Sequence, residues 1–216
     1  MAKTTQGGAP RRGGARDEGA KEEAFDRRYF DRFYEDTTRV HGREEIARLA
    51  SGVAGLVEWF RGEPIETVLD VGAGAGLWRD WFKTHRPDVR YRSTDVSAYA
   101  CKRYGHEQRD VSKWRAKERF DLVVCQGVLP YLPDDDAARA IENLAAMCGG
   151  FLYLEAITDR DLREACDLGA TDVAVYRRKG SWYKAELRRH FKKIGAGLYA
   201  IRGGDAVFYE LEACEP

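Results

Sequence analysis

The sequence predicts an α/β domain with an open, doubly wound sheet, parallel except for one strand near its end, and three observations carry that reading. Short β-type runs alternate with helical stretches from residue 67 to about residue 167, an order that implies parallel pairing through right-handed crossovers, with helices on both faces. A glycine-rich turn, Gly72, Ala73, Gly74, Ala75, Gly76, follows directly on an apolar strand. Two apolar runs at 197–201 and 206–211, joined by Arg202, Gly203, Gly204 and Asp205, read as a β-hairpin, which makes one strand antiparallel.

The elements follow in order. Residues 1–21 are polar and rich in glycine, cannot offset their own ordering entropy, and are expected to form a disordered tail. Phe25, Tyr29, Phe30, Phe33 and Tyr34 recur at spacings of one, three and four, so an aromatic-faced helix is expected from about residue 22. A second helix, 43–60, carries Ile46, Leu49, Val53, Leu56, Val57 and Phe60 on one face and is ended by Gly62 and Pro64. Strands are expected at 67–71, 89–93, 120–125 and 151–155, with a short one before Asp110, and helices at 77–84, 98–104, 135–147 and 159–167. The organisation is then a tail (1–21), N-terminal helices (22–62) and one sheet domain (63–216).

Composition narrows the class. With 216 residues and a hydrophobic fraction of 44%, the chain can bury a core without disulfides or a structural metal. Lys plus Arg and Asp plus Glu are both 36, so no global charge points to nucleic acid or an anionic membrane. Cys101, Cys125, Cys148, Cys166 and Cys214 are scattered, odd in number and never in a CxxC pair, which argues against a disulfide framework and a zinc site and for a reducing, cytoplasmic setting. No apolar run has the length of a secretory core or a bilayer span.

The chemistry concentrates at Val68, Leu69, Asp70, Val71 and the glycines after them. Bare backbone at a strand's carboxyl end lets a ligand approach where a side chain would collide. A dinucleotide turn requires GxGxxG, but the third glycine here is Gly76 and the next position is the bulky Leu77; the GK[ST] ending of a P-loop is also absent. The Asp70 carboxylate would repel a pyrophosphate and suits an ammonium group. Asp95, twenty-five residues later, closes the second strand where a carboxylate can accept from a ribose diol.

These residues resemble class I S-adenosylmethionine-dependent methyltransferases of the small-molecule type, whose first motif is an acidic residue followed by GxGxG after the first strand. The resemblance covers roughly residues 43–212 and implies a Rossmann-like sheet of order 3-2-1-4-5-7-6 with strand 7 antiparallel, the N-terminal helices serving as a lid. It implies that Asp70 faces the methionine amino group, that Gly72, Ala73 and Gly74 lie against the methionyl and ribose portions, that Asp95 holds the ribose hydroxyls, and that Val96 packs on the adenine. Gln108, Arg109, Asp110, Val111 resembles the third motif, making Asp110 the acceptor for the adenine amine, and residues 120–126 resemble the fourth, placing Gln126 on the pocket wall. The implied product is S-adenosyl-L-homocysteine.

Methyl transfer needs a nucleophile and an activated methyl held at near-attack geometry, with a general base only where the acceptor must lose a proton. The catalytic residue is therefore left open: His41, Glu155 and Tyr131 stand as candidate bases, with His190 and Tyr34 behind them. Tyr29, Tyr34, Tyr131, Trp182 and Tyr183 are candidate walls of the acceptor pocket, with plain packing the alternative. Asp134, Asp135 and Asp136 precede a helix and read as its N-terminal caps rather than as a metal site. After the fourth strand the chain has Gln126, Gly127, Val128, Leu129, Pro130, Tyr131, which departs from the [DNS]PP[YFW] motif of base-directed amino-methyltransferases. The expected function is methylation of a small molecule at oxygen, nitrogen or carbon. A methyltransferase for RNA or protein, served by the basic segment from Arg177 to Lys193, and a non-catalytic cofactor-binding relative are the alternatives; the oligomeric state is not legible.

Overall fold

The structure, a computed structural model, describes residues 25–35 and 42–212. The tail expected at 1–21 and His41 lie outside the described residues. A short helix α1 (Arg27–Phe30), capped by the Asp26 side chain accepting from the Tyr29 amide at 3.1 Å, continues as a π-helical turn over Asp31–Glu35. Then follow α2 (Arg43–Arg61), β1 (Thr67–Val71), α3 (Leu77–His85), β2 (Arg90–Asp95), α4 (Ala98–Tyr104) and β3 (Glu107–Gln108). The second half comprises β4 (Phe120–Gln126), α5 (Asp134–Met147), β5 (Cys148–Glu155), α6 (Asp159–Glu164), α7 (Gly180–Leu187), β6 (Phe191–Gly195) and β7 (Leu198–Ile201).

The seven strands form one sheet in the order β3-β2-β1-β4-β5-β7-β6, with β7 antiparallel to both of its neighbours and the other pairings parallel. Because side chains alternate across a strand, each central strand feeds two cores. Leu69, Val71, Val123, Cys125 and Leu152 pack with Ala137, Ile141 and Leu144 of α5 and Leu187 of α7. Val68, Leu122, Val124 and Phe151 pack with Ile46, Ala50, Val53 and Val57 of α2 and with Trp78, Trp81 and Phe82 of α3. The buried stripe of α2 thus belongs to the core of the sheet, and Gly62, at φ 71°, ends the helix in a left-handed C-cap.

The expected hairpin is displaced. Residues 198–201 do form β7, but the other arm is β6, which precedes it, and residues 206–211 form no strand. Both edges of β7 are taken, by β5 and by β6, so no edge is left for a later segment. Phe208 instead packs on Phe60 at 5.0 Å between ring centres. The end of the basic segment, with Lys192 and Lys193, forms this strand at the edge of the sheet, where exposed lysines are common. His190 accordingly sits in the turn before β6, not in a helix.

Among the described residues no helix is long and apolar enough to cross a membrane. Asp134, Asp135 and Asp136 occupy the first turn of α5. Asp134 accepts at 2.8 Å from Arg178, a guanidinium only 5% exposed that also donates to the carbonyls of Leu129 (3.0 Å) and Leu132 and to the Tyr183 hydroxyl (3.2 Å). Arg178 therefore ties the loop after β4 to the start of α7. Replacing Arg178 with Met strips buried carbonyls of their donor and should cost about 2 kcal/mol or more in urea denaturation. Asp134→Asn alters a pair whose acidic side chain is 68% exposed and should cost about 1 kcal/mol or less.

Candidate active site

Parallel register brings the carboxyl ends of five strands to one rim. Val71 pairs with Thr94 and Cys125, Asp95 with Gln108, and Gln126 with Glu155, so residues far apart in sequence meet there. The turn after β1 is built on Gly72, Gly74 and Gly76 at φ 71°, 56° and 74°, a left-handed conformation that penalises other residues. Crowding adds a second reason: a Cβ on Gly72 would lie 2.2 Å from Val128 Cγ2, and one on Gly74 would lie 2.7 Å from the Tyr34 hydroxyl.

Hydrogen bonds fix this turn against β2. The amides of Gly72 and Ala73 donate to the Thr94 carbonyl at 2.8 and 3.0 Å. The two Asp95 oxygens accept from the Gly74 and Ser97 amides at 2.9 and 2.8 Å. His106, buried, bridges the Ser93 hydroxyl (2.8 Å) and the Gly74 carbonyl (3.0 Å). Its burial lowers the imidazole pKa, so the ring is a neutral strut. Asp110 Oδ1 accepts from the Ser112 amide at 2.9 Å and its hydroxyl at 2.7 Å.

Two adjoining cavities open on this rim. The first, about 230 Å³, is walled by Gly72, Gly74, Asp95, Val96, Asp110, Val111, Val128 and the aromatic faces of Phe25, Tyr29, Phe30 and Tyr34. The second, about 150 Å³, is walled by Asp70, Gly72, Ala73, Trp78, Gln126, Glu155 and Asp172, with Phe33 and Thr171. Tyr29, Tyr34, Gly72, Gln126, Gly127, Tyr131 and Val175 line both, which makes them chambers of one cleft.

The segment from Phe25 to Tyr34 roofs the cleft. The Ser97 hydroxyl donates to the Phe25 carbonyl at 2.6 Å, the Tyr29 and Tyr131 hydroxyls share a hydrogen bond of 3.0 Å, and the Phe30 ring, buried, stacks on Tyr34 at 5.2 Å. On the opposite wall, Trp78 Nε1 donates to Gln126 Oε1 at 2.8 Å, and Gln126 Nε2 donates to Glu155 Oε2 at 3.2 Å. The Tyr153 hydroxyl reaches the same oxygen at 3.4 Å.

Of the residues singled out in the sequence, Asp70, Gly72, Ala73, Gly74, Asp95, Val96, Asp110, Val111, Gln126, Tyr29, Tyr34, Tyr131 and Glu155 all line the cleft. Trp182 and Tyr183 do not. They pack about Arg178, whose guanidinium lies 4.8 and 5.7 Å from their ring centres, and Tyr183 is buried in the α5 and α7 core. His190 is not among the lining residues, and His41 is outside the described ones. Sequence reasoning missed Tyr91, His106 and the wall at 170–176. A single Tyr or His inside or after a strand carries no motif, and the wall belongs to a loop without periodicity.

Burial shapes the electrostatics. Asp70 is 2% exposed, and burial pushes its carboxyl up to about 7, although the Tyr91 hydroxyl donating at 2.8 Å pulls it back. Burial also raises Asp95, against its backbone donors. Tyr29, Tyr34 and Tyr131 are raised by burial well beyond the usual phenol range, so these hydroxyls keep their protons. Tyr131 is therefore a poorer base than an exposed phenol.

A family model described as a methyltransferase domain matches residues 39–200. The chain belongs to that methyltransferase family. No curated protein sequence matches it. The fold of this methyltransferase is similar to that of the N-methyltransferase NodS from Bradyrhizobium japonicum WM9 in complex with S-adenosyl-L-homocysteine, at 17% identity over 79% of this chain and 91% of that one, with a TM-score of 0.55. It is similar to magnesium protoporphyrin IX methyltransferase (ChlM) from Synechocystis PCC 6803 with bound SAM, at 18% identity over 85% and 95%, TM-score 0.54. A third similarity is to the plantazolicin methyltransferase BpumL in complex with a pentazolic desmethylPZN analog and SAH, at 11% identity over 77% and 68%, TM-score 0.59. At these identities the likeness is one of fold.

The raised Asp70 gives a signed expectation. A carboxyl whose folded pKa lies near 7, against about 3.9 unfolded, stabilises the ligand-free protein below pH 4 and loses that contribution as pH rises through 7. Relative to Asp70→Asn, the wild type should lose stability across this window with a slope of at most ~1.4 kcal/mol per pH unit in urea denaturation.

Proposed function

We propose that this methyltransferase binds S-adenosylmethionine in the cleft at the strand ends and transfers its methyl group to a small-molecule acceptor at oxygen, nitrogen or carbon, releasing S-adenosyl-L-homocysteine. The observation that carries the reading is the continuity of the two chambers, which sets the carboxylates of Asp70, Asp95 and Asp110 around one bare-backbone turn. The donor set fits. Bound there, the cofactor would supply an electrophilic methyl on a sulfonium, so the protein needs no covalent step.

The residues then divide the work. Asp70, uncomfortable as a buried anion, takes an ammonium as its counter-charge. Each Asp95 oxygen spends one acceptor site on a backbone amide and keeps another for a ribose hydroxyl. Val96 and Val111 offer aliphatic faces to the adenine, and Asp110 a carboxylate to its amine. Gly72 and Gly74 keep the turn free of side chains, and Gln126, oriented by Trp78, forms the wall where the methyl passes.

We assign the lid role to 25–35, since these aromatics exclude water and limit access to molecules small enough to pass beneath them. That enclosure supports a small molecule over RNA or protein as acceptor. The free thiols at Cys101, Cys125, Cys148 and Cys166 support a cytoplasmic home.

Calorimetry with S-adenosylmethionine tests the reading, and a purified protein giving no heat with it or with S-adenosyl-L-homocysteine would overturn it. Asp95→Ala should weaken that binding by about tenfold or more, the loss of a charge-assisted hydrogen bond. Removing residues 1–36 should lower turnover well before it lowers the unfolding midpoint; unchanged kinetics would take the lid out of the scheme.

A further inference from the structure

The second chamber carries three carboxylates, Asp70, Glu155 and Asp172, and among the described residues its wall holds no Lys, Arg or His. Among the described residues, the one basic residue on the neighbouring chamber is Arg109, which stands with Asp110 at the adenine side. Five aromatic residues, Tyr29, Phe33, Tyr34, Trp78 and Tyr131, share that wall with aliphatic and small side chains. Resting on the assignment of the cleft to a methyltransferase, we propose that the acceptor is a small amine that enters as an ammonium ion, recognised by Asp172 and Glu155 and by the aromatic faces around them.

Charge decides this among the acceptor classes. The cofactor's one ammonium group is taken by Asp70, so Glu155, whose Oε2 accepts from Gln126 and Tyr153, and Asp172 add negative charge to the chamber beyond what the cofactor uses. They come from separate elements, the end of β5 and the loop after α6, and converge on the same enclosed space beside the turn. Asp172 Oδ1 accepts the Ala174 amide at 2.9 Å, which fixes the carboxylate, and its side chain also interacts with the Tyr131 hydroxyl. A carboxylate or phosphate acceptor would meet like charges there and be repelled. An ammonium meets opposite charges and π faces, both of which attract it.

The chemistry closes without a further reagent. The ammonium gives one proton to the Glu155 carboxylate; the freed nitrogen lone pair forms the N–C bond as the C–S bond breaks, and that electron pair stays on sulfur as a neutral thioether. The product leaves as the methylated ammonium, the positive charge having passed from sulfur to nitrogen, and Glu155 then gives its proton to solvent. Glu155 is thus both attractor and proton acceptor, and Asp172 is a positioning residue.

The test uses the full chain with benzylamine, benzyl alcohol and benzoate, titrated by calorimetry at neutral pH with and without saturating S-adenosyl-L-homocysteine. Benzylamine is expected to bind about tenfold or more tightly than benzoate, with the alcohol between them. Asp172→Asn and Glu155→Gln should each weaken benzylamine by about fivefold or more, leaving S-adenosyl-L-homocysteine affinity within about twofold. Equal binding of the three probes, no binding of benzylamine at millimolar concentration, or indifference to both substitutions would overturn the proposal. So would a loss confined to S-adenosylmethionine over S-adenosyl-L-homocysteine, which would mean that the acids serve only the sulfonium. Amine preference without any cofactor binding would instead fell the methyltransferase cleft and leave the acidic chamber standing.

Discussion

A carboxylate shut away from water must hold a proton or find a positive partner, and the architecture of this cleft turns on that constraint. Asp70 sits at the end of β1 with the central strands on either side and one phenol for company. Such a group, ionised, destabilises the empty protein near neutral pH, and a cation held beside it would relieve that cost. Stability is thereby given up locally and returned on binding, a pattern expected where a site is built for a ligand rather than for the fold.

The fold tolerates this because the surrounding frame is over-determined. β1 is buried along its whole length, two cores grip the sheet from opposite faces, and Asp95, His106 and the Thr94 carbonyl lock the glycine turn from β2. With backbone groups satisfied by rigid neighbours, the turn does not depend on a ligand for its shape. The aromatic roof, a short helix continued by a π-helical turn, meets this frame through the Ser97–Phe25 and Tyr29–Tyr131 hydrogen bonds and through ring packing.

Much of this was legible in the residues. The alternation of strand and helix, the glycine spacing and the acids at 70, 95 and 110 follow local rules of pattern and backbone freedom, and these residues meet at the cleft. Failures came where tertiary context decides. Trp182 and Tyr183 look like pocket aromatics by composition, yet a buried arginine claims both of them. The hairpin was misplaced because glycines at 203 and 204 mark a turn as plainly as those at 195 and 197, and only the vacancy of a sheet edge chooses between them. The loop carrying Thr171 and Asp172 has neither motif nor periodicity, so its place on the wall emerges only once the chain is folded.

The roof at 25–35 spans both chambers, with Tyr29 and Tyr34 facing each. A molecule seated in either one therefore lies against the same cover. With that cover acting as the proposed lid, departure of the methylated product and of the spent thioether would be coupled events, and its dwell time, rather than bond making, would set the pace of the cycle.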